Sequence, residues 1–291
     1  MLHVIQNEVL TVTASELGAQ LQSVRTADGT EYLWQGDERY WKNRAPNLFP
    51  YVARLWKGKY SLDGKSYGMA IHGFAPYCRF VLSEQDEQRM VFELRDSEEI
   101  YAQYPRRFVF RIIYALDQNT LNITYEVVNR GEQTMYFGLG GHPGFNVPLE
   151  EGLKFEDYRL RFAEPCKPVR VGFTEDCFVN GQDSAYPLEQ DSILPLRHDL
   201  FDEDAIVLKQ MAHEVTLEAP DSARSVTVSF PDMPILGVWH KPKTDAPYVC
   251  IEPWVSLPAK DGAIAALEEQ EDLIRLESGK TYSNTWSITI Q

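Results

Sequence analysis

Hydrophobic and polar residues alternate with a period of two along most of the chain, in short runs separated by turn-forming residues. This alternation, together with many β-branched and aromatic residues, is typical of β-strands that bury one face. It predicts a pair of long strands over residues 107–116 and 120–129, and another long strand over residues 281–290. Asp63-Gly64, between two shorter runs, predicts a tight hairpin, because this dipeptide tolerates the positive φ angles of a type I′ turn.

Two regions depart from the alternating pattern. Residues 263–276 are rich in Ala, Leu and Glu and predict a helix, although the spacing of their apolar residues is irregular. Residues 150–200 are rich in Pro, Asp and Glu, and a long loop is expected over residues 177–194. Because no Gly/Ser-rich linker or repeat divides the chain, we expect an all-β protein, a large antiparallel sandwich or barrel formed by residues 1–291 as one domain.

Composition and charge narrow the function classes. The 28 Lys and Arg residues are outnumbered by 43 Asp and Glu residues, so the formal net charge is −15 and no basic run is present. A nucleic-acid partner is therefore not expected, because phosphate binding requires clustered basic side chains. No apolar run reaches the roughly 18 residues of a membrane span, and no signal peptide is expected. The four cysteines form no C-x-x-C pair, which indicates reduced thiols in a cytoplasmic protein.

His142 lies in the most unusual stretch of the sequence, the glycine-rich residues 138–146. The third glycine of a dinucleotide-binding G-x-G-x-x-G motif would fall on Pro143, and no helix is expected to follow, so that interpretation fails. Glycines at a strand end instead allow another group to approach the backbone closely. The stretch by itself is equally compatible with a proton-transferring histidine and with a hydrogen-bonded histidine in a tight turn.

Glu252 is a lone carboxylate within residues 249–254, which otherwise have the pattern of a buried strand. Burying a carboxylate is costly unless it is paired or its pKa is raised, and such a group is a good candidate for a general base. A glutamate on the solvent-facing side of an edge strand is the alternative, which this segment taken alone slightly favours. Trp254, two residues later, could be a core residue or an apolar platform for a sugar ring.

Three further places could contact a ligand. His72 repeats the arrangement of a histidine beside glycine and an aromatic residue, although a hydrogen-bonded core histidine explains it more readily. Arg54 lies in a largely apolar run and needs acceptors, which a polyhydroxyl ligand or a carboxylate could supply. Residues 202–204 are three consecutive acidic residues, typical of a solvated turn, from which one carboxylate could still accept hydrogen bonds from a ligand.

Neither metal binding nor serine hydrolysis is expected. The candidate metal ligands His72, His142, His198 and Glu252 have none of the close spacings of known metal motifs. A G-x-S-x-G nucleophile elbow is also absent from the sequence.

Taken in order, several stretches resemble the aldose 1-epimerase (galactose mutarotase) family, and more closely its shorter bacterial branch of the kind found with lactose and hexose operons. The ordered set covers most of the chain, and G-G-H-P followed by I-E-P-W is its most specific part. The matching stretches are residues 31–34, 46–50 with Arg54, 71–75, 140–146, 200–205, Trp239 and 250–254.

The resemblance implies a large antiparallel β-sandwich of the galactose mutarotase type, interconversion of the α and β anomers of an aldose, and no metal or organic cofactor. It implies Glu252 as the general base and His142 as the general acid, with Arg54 and His72 binding sugar oxygens. Asp204 matches the family's substrate-binding aspartate, although Asp202 is close enough to leave the alignment open. Pro76-Tyr77, where many relatives carry an Arg, and the largely acidic segment 268–272 are departures that bear on the substrate rather than on the reaction.

The expected function is therefore anomer interconversion of a hexose or hexose phosphate by a monomer or homodimer. Opening the hemiacetal requires removal of the C1 hydroxyl proton and protonation of the ring oxygen, so we expect an ionised Glu252 and a protonated His142 in the starting complex. The alternative is a non-catalytic carbohydrate-binding or sugar-sensing protein on the same scaffold. Glycoside hydrolysis would need a second carboxylate about 5–10 Å from Glu252, for which only Asp202 and Asp204 are candidates.

Overall fold

The computed structural model describes the whole chain, Met1–Gln291, and is built mainly of β-strands. Its one α-helix is short (α1, Glu98–Gln103), and none of its helices has the length and apolar character that crossing a membrane requires. Five 3-10 helices cover Trp56–Gly58, Ala75–Tyr77, Phe155–Asp157, His198–Phe201 and Leu267–Glu269. In chain order the strands are β1 (Leu2–Gln6), β2 (Leu10–Ser15), β3 (Leu21–Thr26), β4 (Asn47–Leu48), β5 (Lys59–Leu62), β6 (Lys65–Gly68), β7 (Val81–Gln85), β8 (Arg89–Arg95), β9 (Phe108–Asp117), β10 (Thr120–Asn129), β11 (Met135–Phe137), β12 (Gly140–Gly141), β13 (Gly144–Asn146), β14 (Arg159–Phe162), β15 (Val169–Arg170), β16 (Ser184–Ala185), β17 (Ile193–Pro195), β18 (Ile206–Lys209), β19 (Glu214–Glu218), β20 (Ser225–Ser229), β21 (Ile235–Trp239), β22 (Tyr248–Trp254), β23 (Ala265–Ala266), β24 (Ile274–Leu276) and β25 (Thr281–Ile290).

The larger of two main sheets has nine strands in the order β17-β14-β19-β20-β25-β10-β9-β8-β7. All its neighbouring strands are antiparallel. The three longest strands, β9, β10 and β25, lie side by side, and β10 alternates strictly between buried and partly exposed residues. The long strands that the period-two pattern predicts are therefore confirmed, because one face of each strand is buried and the other faces outward.

The second main sheet is also antiparallel and has the order β16-β15-β18-β21-β22-β12-β4, with β13 also paired to β22. Its strand β22 is buried along its whole length. Val249 and Ile251 belong to the main core, whereas Cys250 and Trp254 belong to two smaller clusters on the opposite face. Side chains alternate across a strand, so Glu252 shares this opposite face, which we call the outer face of the sheet.

The two main sheets pack against each other through a cluster of 68 buried residues. A buried polar contact also joins them: Asn47 of β4 donates to the Tyr114 hydroxyl at 3.1 Å and accepts from the Tyr125 hydroxyl at 2.8 Å. Because Tyr114 and Tyr125 lie in β9 and β10, this contact bridges the sheets. The expected antiparallel β-sandwich is confirmed.

Smaller sheets complete the fold, and one of them contains the predicted hairpin. Strands β5 and β6 pair across Asp63 and Gly64, whose φ angles of 50° and 70° fit a type I′ turn. The other small sheets are β1-β2-β3 and β11-β24, while β23 joins β5 in parallel.

The predicted helix over residues 263–276 is wrong. The segment forms β23, a single 3-10 turn and β24, because its backbone pairs with distant strands: Ala265 with Tyr60 of β5, and Ile274 with Phe137 of β11. Long-range pairing thus overrides local helix propensity. The one α-helix, Glu98–Gln103, was not predicted from the pattern, although Ser97 caps it by accepting from the Ile100 N–H at 3.2 Å.

Candidate active site

A cleft of about 300 Å³ lies over the outer face of the second sheet. Its floor includes Val207 of β18 and Trp239 of β21, and loops from distant parts of the chain form its walls. The cleft brings together all the site residues expected from the sequence: Arg54, His72, His142, Asp204 and Glu252. Asp202 does not line it and borders a neighbouring polar depression instead.

Glu252 and His142 form a buried contact at the base of the cleft. The Glu252 side chain projects from β22, and its Oε2 lies 3.3 Å from His142 Nε2. The two residues are 1 % and 8 % exposed. Backbone pairing holds them in this place, because Gly144 pairs with Cys250 and the Ile251 N–H donates to the Pro143 carbonyl at 3.1 Å.

Burial determines the protonation of this pair in the free protein. It raises the pKa of the Glu252 carboxyl well above its usual range, and the negative charge of Asp204 raises it further. It also lowers the pKa of His142 well below its usual range, an effect strengthened by the nearby His72. The favoured form is therefore uncharged, with the proton on Glu252. This is the reverse of the charged pair expected for the starting complex, and the cause is desolvation of both groups.

Aromatic rings surround His142. Trp41 stacks on it with ring centroids 4.8 Å apart, and Trp239 meets it edge-on at 5.7 Å. The His72 ring is also edge-on to it, at 5.5 Å. His142 Nδ1 is buried and has no hydrogen-bond partner. Trp41 was missed at the sequence level, because nothing in its local sequence indicates contact with a residue 101 positions later.

A hydrogen bond to one of its ring nitrogens holds His72 in place. Its Nδ1 accepts from the Ala53 N–H at 3.2 Å, which assigns the ring hydrogen of the neutral form to Nε2. Burial, together with the charge of Arg54, lowers the pKa of His72 to about 4, so the ring is neutral near pH 7. Gly73 makes this position possible, because its φ is +77° and a Cβ there would lie 2.1 Å from the Phe49 carbonyl oxygen.

Arg54 is the free cation of the cleft. Its side chain is exposed, and the guanidinium forms no hydrogen bond or ion pair with the protein. Its backbone is fixed by a hydrogen bond from the Ala259 N–H to the Arg54 carbonyl at 3.0 Å. The donors of the guanidinium are therefore available to a ligand.

Asp204 is oriented by two donors. Its Oδ1 accepts from the Ala205 N–H at 2.9 Å, and its Oδ2 accepts from the Cys177 thiol at 3.1 Å. Burial and the bond to Asp204 raise the pKa of Cys177 to about 12, so the thiol stays protonated and acts as a donor. Cys177 is a second cleft residue that the sequence does not indicate, because the local pattern predicts only a loop.

One group of side chains could approach a metal ion. The ligand atoms of His142, Cys250 and Glu252 lie within 4.8 Å of one another. Cys250 is fully buried, and burial raises the pKa of its thiol well above the usual range, which disfavours the thiolate that a metal requires. The fourth sequence candidate, His198, lies elsewhere and contacts His240 at 3.1 Å. That the protein uses no metal stays a prediction.

Comparison with known proteins identifies the family. The model of the family described as aldose 1-epimerase matches residues 1–289. The chain belongs to the aldose 1-epimerase family. As a member it is an isomerase that acts on sugars, and the family resemblance expected from the sequence is confirmed.

Relatives of this epimerase match over almost their whole length. The chromosomal protein LacX of Lactococcus lactis subsp. lactis is 34% identical over 297 residues, which covers 98% of both chains. A crystal structure of a galactose mutarotase related enzyme from Lactobacillus acidophilus has a TM-score of 0.96 at 34% identity and covers 100% of this chain and 97% of that one. A galactose mutarotase-like protein from Lactobacillus casei has a TM-score of 0.93 at 30% identity and covers 100% of both chains.

Proposed function

We propose that this epimerase interconverts the α and β anomers of a hexose, with Glu252 as the general base and His142 as the general acid. The observation that carries the proposal is the 3.3 Å contact between these two side chains at the base of the cleft. The two oxygens that must exchange protons, the C1 hydroxyl and the ring oxygen, are both bonded to C1 and so lie close together. A base and an acid in contact can therefore serve both oxygens at once.

The reaction begins with proton transfer within the pair. When sugar hydroxyls surround the two groups, the proton on Glu252 moves to His142 and leaves an ionised base and a charged acid. Glu252 then takes the C1 hydroxyl proton, a C1 carbonyl forms, the bond between C1 and the ring oxygen breaks, and His142 gives its proton to that oxygen. Rotation about C1–C2 and the reverse transfers yield the other anomer.

Burial favours ring opening in this scheme. After the transfers, Glu252 is protonated and His142 is neutral, which is the form that desolvation favours in the free protein. The charged form that precedes ring opening is therefore the less stable one, and both proton transfers to and from the sugar relieve buried charge.

The remaining cleft residues are proposed to hold the sugar while C1 stays free to rotate. The His72 Nε2–H and the Arg54 guanidinium are free donors, and the Asp204 carboxylate is an acceptor held by Cys177. Donors and an acceptor on different walls suit the alternating donor and acceptor character of sugar hydroxyls. The position of Asp204 in the cleft favours it over Asp202 as the substrate-binding acid.

The charges of the cleft favour an uncharged hexose over a hexose phosphate. Arg54 is the one cation among the lining residues, and it shares the cleft with Asp204 and Glu203. Glu203 in turn pairs with Arg170 at 3.7 Å. With Glu203 compensated by Arg170, a phosphate entering the cleft would meet the Asp204 carboxylate beside the single guanidinium of Arg54. A cytoplasmic location and a monomeric or homodimeric state stay predictions.

Anomer-resolved NMR on freshly dissolved α-glucose, α-galactose and their 6-phosphates tests the function. We expect catalysed interconversion by the wild-type protein, and a loss of about 100-fold or more in Glu252→Gln and in His142→Ala, the usual size of a general acid–base contribution.

Exposed residues of the same types, changed in Glu132→Gln and His213→Ala, serve as matched controls and should leave the rate unchanged. A wild-type rate no faster than buffer on every sugar, with binding still seen by calorimetry, would refute the proposal in favour of a non-catalytic sugar-binding protein.

A further inference from the structure

Trp254 lies beside the proposed base on the outer face of the second sheet. It follows Glu252 by two residues in β22, so the two side chains project to the same side of the strand. Trp254 also lines the cleft. Its indole Nε1 is buried and makes no hydrogen bond of standard geometry, although it lies within reach of the Glu252 carboxyl. A buried donor without an acceptor is unfavourable, and this one is found next to a carboxyl group that has to become charged.

The Trp254 indole packs against two glycines, where the absence of a side chain leaves room for the ring. A Cβ at Gly140 would lie 2.6 Å from Trp254 Cδ1, and a Cβ at Gly237 would lie 2.9 Å from Trp254 Cζ2. Gly237 is also the residue paired with Glu252 across β21 and β22, and its Cβ would lie 3.3 Å from Glu252 Cβ. The indole therefore spans from Gly140 to Gly237, beside the base of the Glu252 side chain, and Nε1 lies on the ring edge between the two contacting atoms Cδ1 and Cζ2.

We propose that Trp254 is a positioning residue for the base: its indole N–H donates a hydrogen bond to the Glu252 carboxylate once that group is ionised. His142 faces one carboxylate oxygen, and the indole supplies a donor from the same sheet face. The assignment rests on the proposed function, because it explains how a buried carboxyl is kept available as a base. A purely structural role for Trp254 would depend on its aromatic ring but not on its indole N–H.

The electrostatics agree with this geometry. Burial and the charge of Asp204 raise the pKa of the Glu252 carboxyl, and hydrogen bonding by the Trp254 side chain is the one smaller effect that lowers it. The other titratable groups around Glu252 are His142, Asp204, Cys250 and Tyr248. Because a donor stabilises the charged form of a carboxyl more than the neutral form, its removal should raise the pKa of Glu252.

The test compares Trp254→Phe with a matched control, Trp286→Phe. Trp286 also has a buried indole N–H without a partner, but it belongs to the main core and contacts the opposite face of β12 at Gly141. Both variants keep an aromatic ring and lose one N–H. The Glu252 carboxyl is titrated in the free protein by ¹³C NMR of glutamate-labelled samples, with Glu252→Gln used to assign its resonance.

We expect the Glu252 pKa to rise in Trp254→Phe and to stay unchanged in Trp286→Phe. A rise of about one unit shifts the proton transfer between Glu252 and His142 about tenfold toward the uncharged pair, so kcat near neutral pH should fall about tenfold. The alkaline limb of the rate profile, where the pair loses its shared proton, should move to higher pH. KM should change little. An unchanged Glu252 pKa, or a raised KM with normal kcat, overturns the proposal, since the latter would mean that the indole binds the sugar.

A second measurement needs no change at Trp254. The indole ¹H–¹⁵N resonance of Trp254 in the wild-type protein should titrate with the Glu252 carboxyl, and this titration should vanish in Glu252→Gln. A resonance that does not respond to pH overturns the proposal even if Trp254→Phe fails to fold. Both NMR readouts are independent of turnover, so they separate a failure of this assignment from a failure of the proposed mutarotase activity.

Discussion

Burial of the Glu252 side chain favours the neutral carboxyl, whereas the proposed reaction requires the carboxylate. As the proposed general base it has to lose its proton, yet this carboxyl is 1 % exposed and its pKa is raised by burial. The same burial makes the carboxylate a stronger base once it is formed, because water no longer stabilises the charge. Glu252 should therefore lower the stability of the fold at neutral pH, while the proposed reaction depends on it.

We expect Glu252→Gln to stabilise the protein at neutral pH. The pKa of this carboxyl is higher in the folded than in the unfolded state, so its penalty is absent below the unfolded pKa of about 4.3 and grows as pH rises toward the folded value. Glutamine carries no such penalty. The Tm difference from wild type should be near zero at pH 4.5 and about 3 °C or more in favour of the variant at pH 8.

Thermal scans across this pH range measure the effect, with the exposed Glu132→Gln as the control that should show no trend. A variant that is less stable than wild type at pH 8 would contradict the expectation. It would mean that Glu252 is held as an ion pair with His142 in the free protein and that the attraction outweighs desolvation.

At the scale of elements, the position of His72 depends on a close backbone crossing. The Gly73 backbone passes so near Phe49 that the Phe74 and Ala75 N–H groups both donate to the Phe49 carbonyl, at 3.0 and 3.1 Å. This crossing fixes the turn that carries His72 against the wall of the cleft. A side chain at position 73 cannot be accommodated by rotamer changes, because the obstacle is backbone.

Gly73→Ala should therefore lower stability by about 3 kcal/mol and raise KM, because both the left-handed backbone and the collision are unfavourable. Gly64→Ala is a matched control: its φ is +70°, but nothing lies within 4 Å of the added Cβ. It should cost only about 1 kcal/mol, with KM unchanged. Urea unfolding and substrate titrations measure both effects, and equal losses in the two variants would contradict a steric role for the crossing.

The sequence predicts strands well where one face is buried and the other faces outward, because such strands alternate between apolar and polar residues. Thr120–Asn129 and Thr281–Ile290 were predicted with the bounds that the structure has, because their alternation reflects one buried face. Residues 263–276 were mispredicted because partners such as Tyr60 and Phe137 are distant in sequence. The candidate site shows the same limit: sequence motifs indicated Glu252 and His142, which the structure places in one cleft, whereas Trp41 and Cys177 reach that cleft only through contacts between distant parts of the chain.

At the scale of the whole molecule, the cleft depends on long-range convergence. Its lining residues extend from Trp41 to Pro258, so most of the chain must fold before the site exists. The second sheet has both faces covered near β22, by the main core on one side and by the cleft with its loops on the other. Because both faces of β22 are covered, its sequence is mostly apolar, and Glu252 is therefore found within an apolar run. That residues 1–291 form a single domain stays a prediction.

The net charge of −15 gives a test of the substrate class. An acidic protein repels a hexose phosphate over a distance set by ionic strength, about 10 Å at 0.1 M salt, whereas a neutral hexose experiences no such field. Raising salt from about 20 to 200 mM should therefore leave kcat/KM for a neutral hexose unchanged, and raise any residual kcat/KM for its 6-phosphate several-fold. A kcat/KM for the phosphate that instead falls with salt would contradict the choice of an uncharged hexose. It would mean that the local attraction of Arg54 outweighs the acidic surface, and Arg54→Gln should then remove the salt dependence.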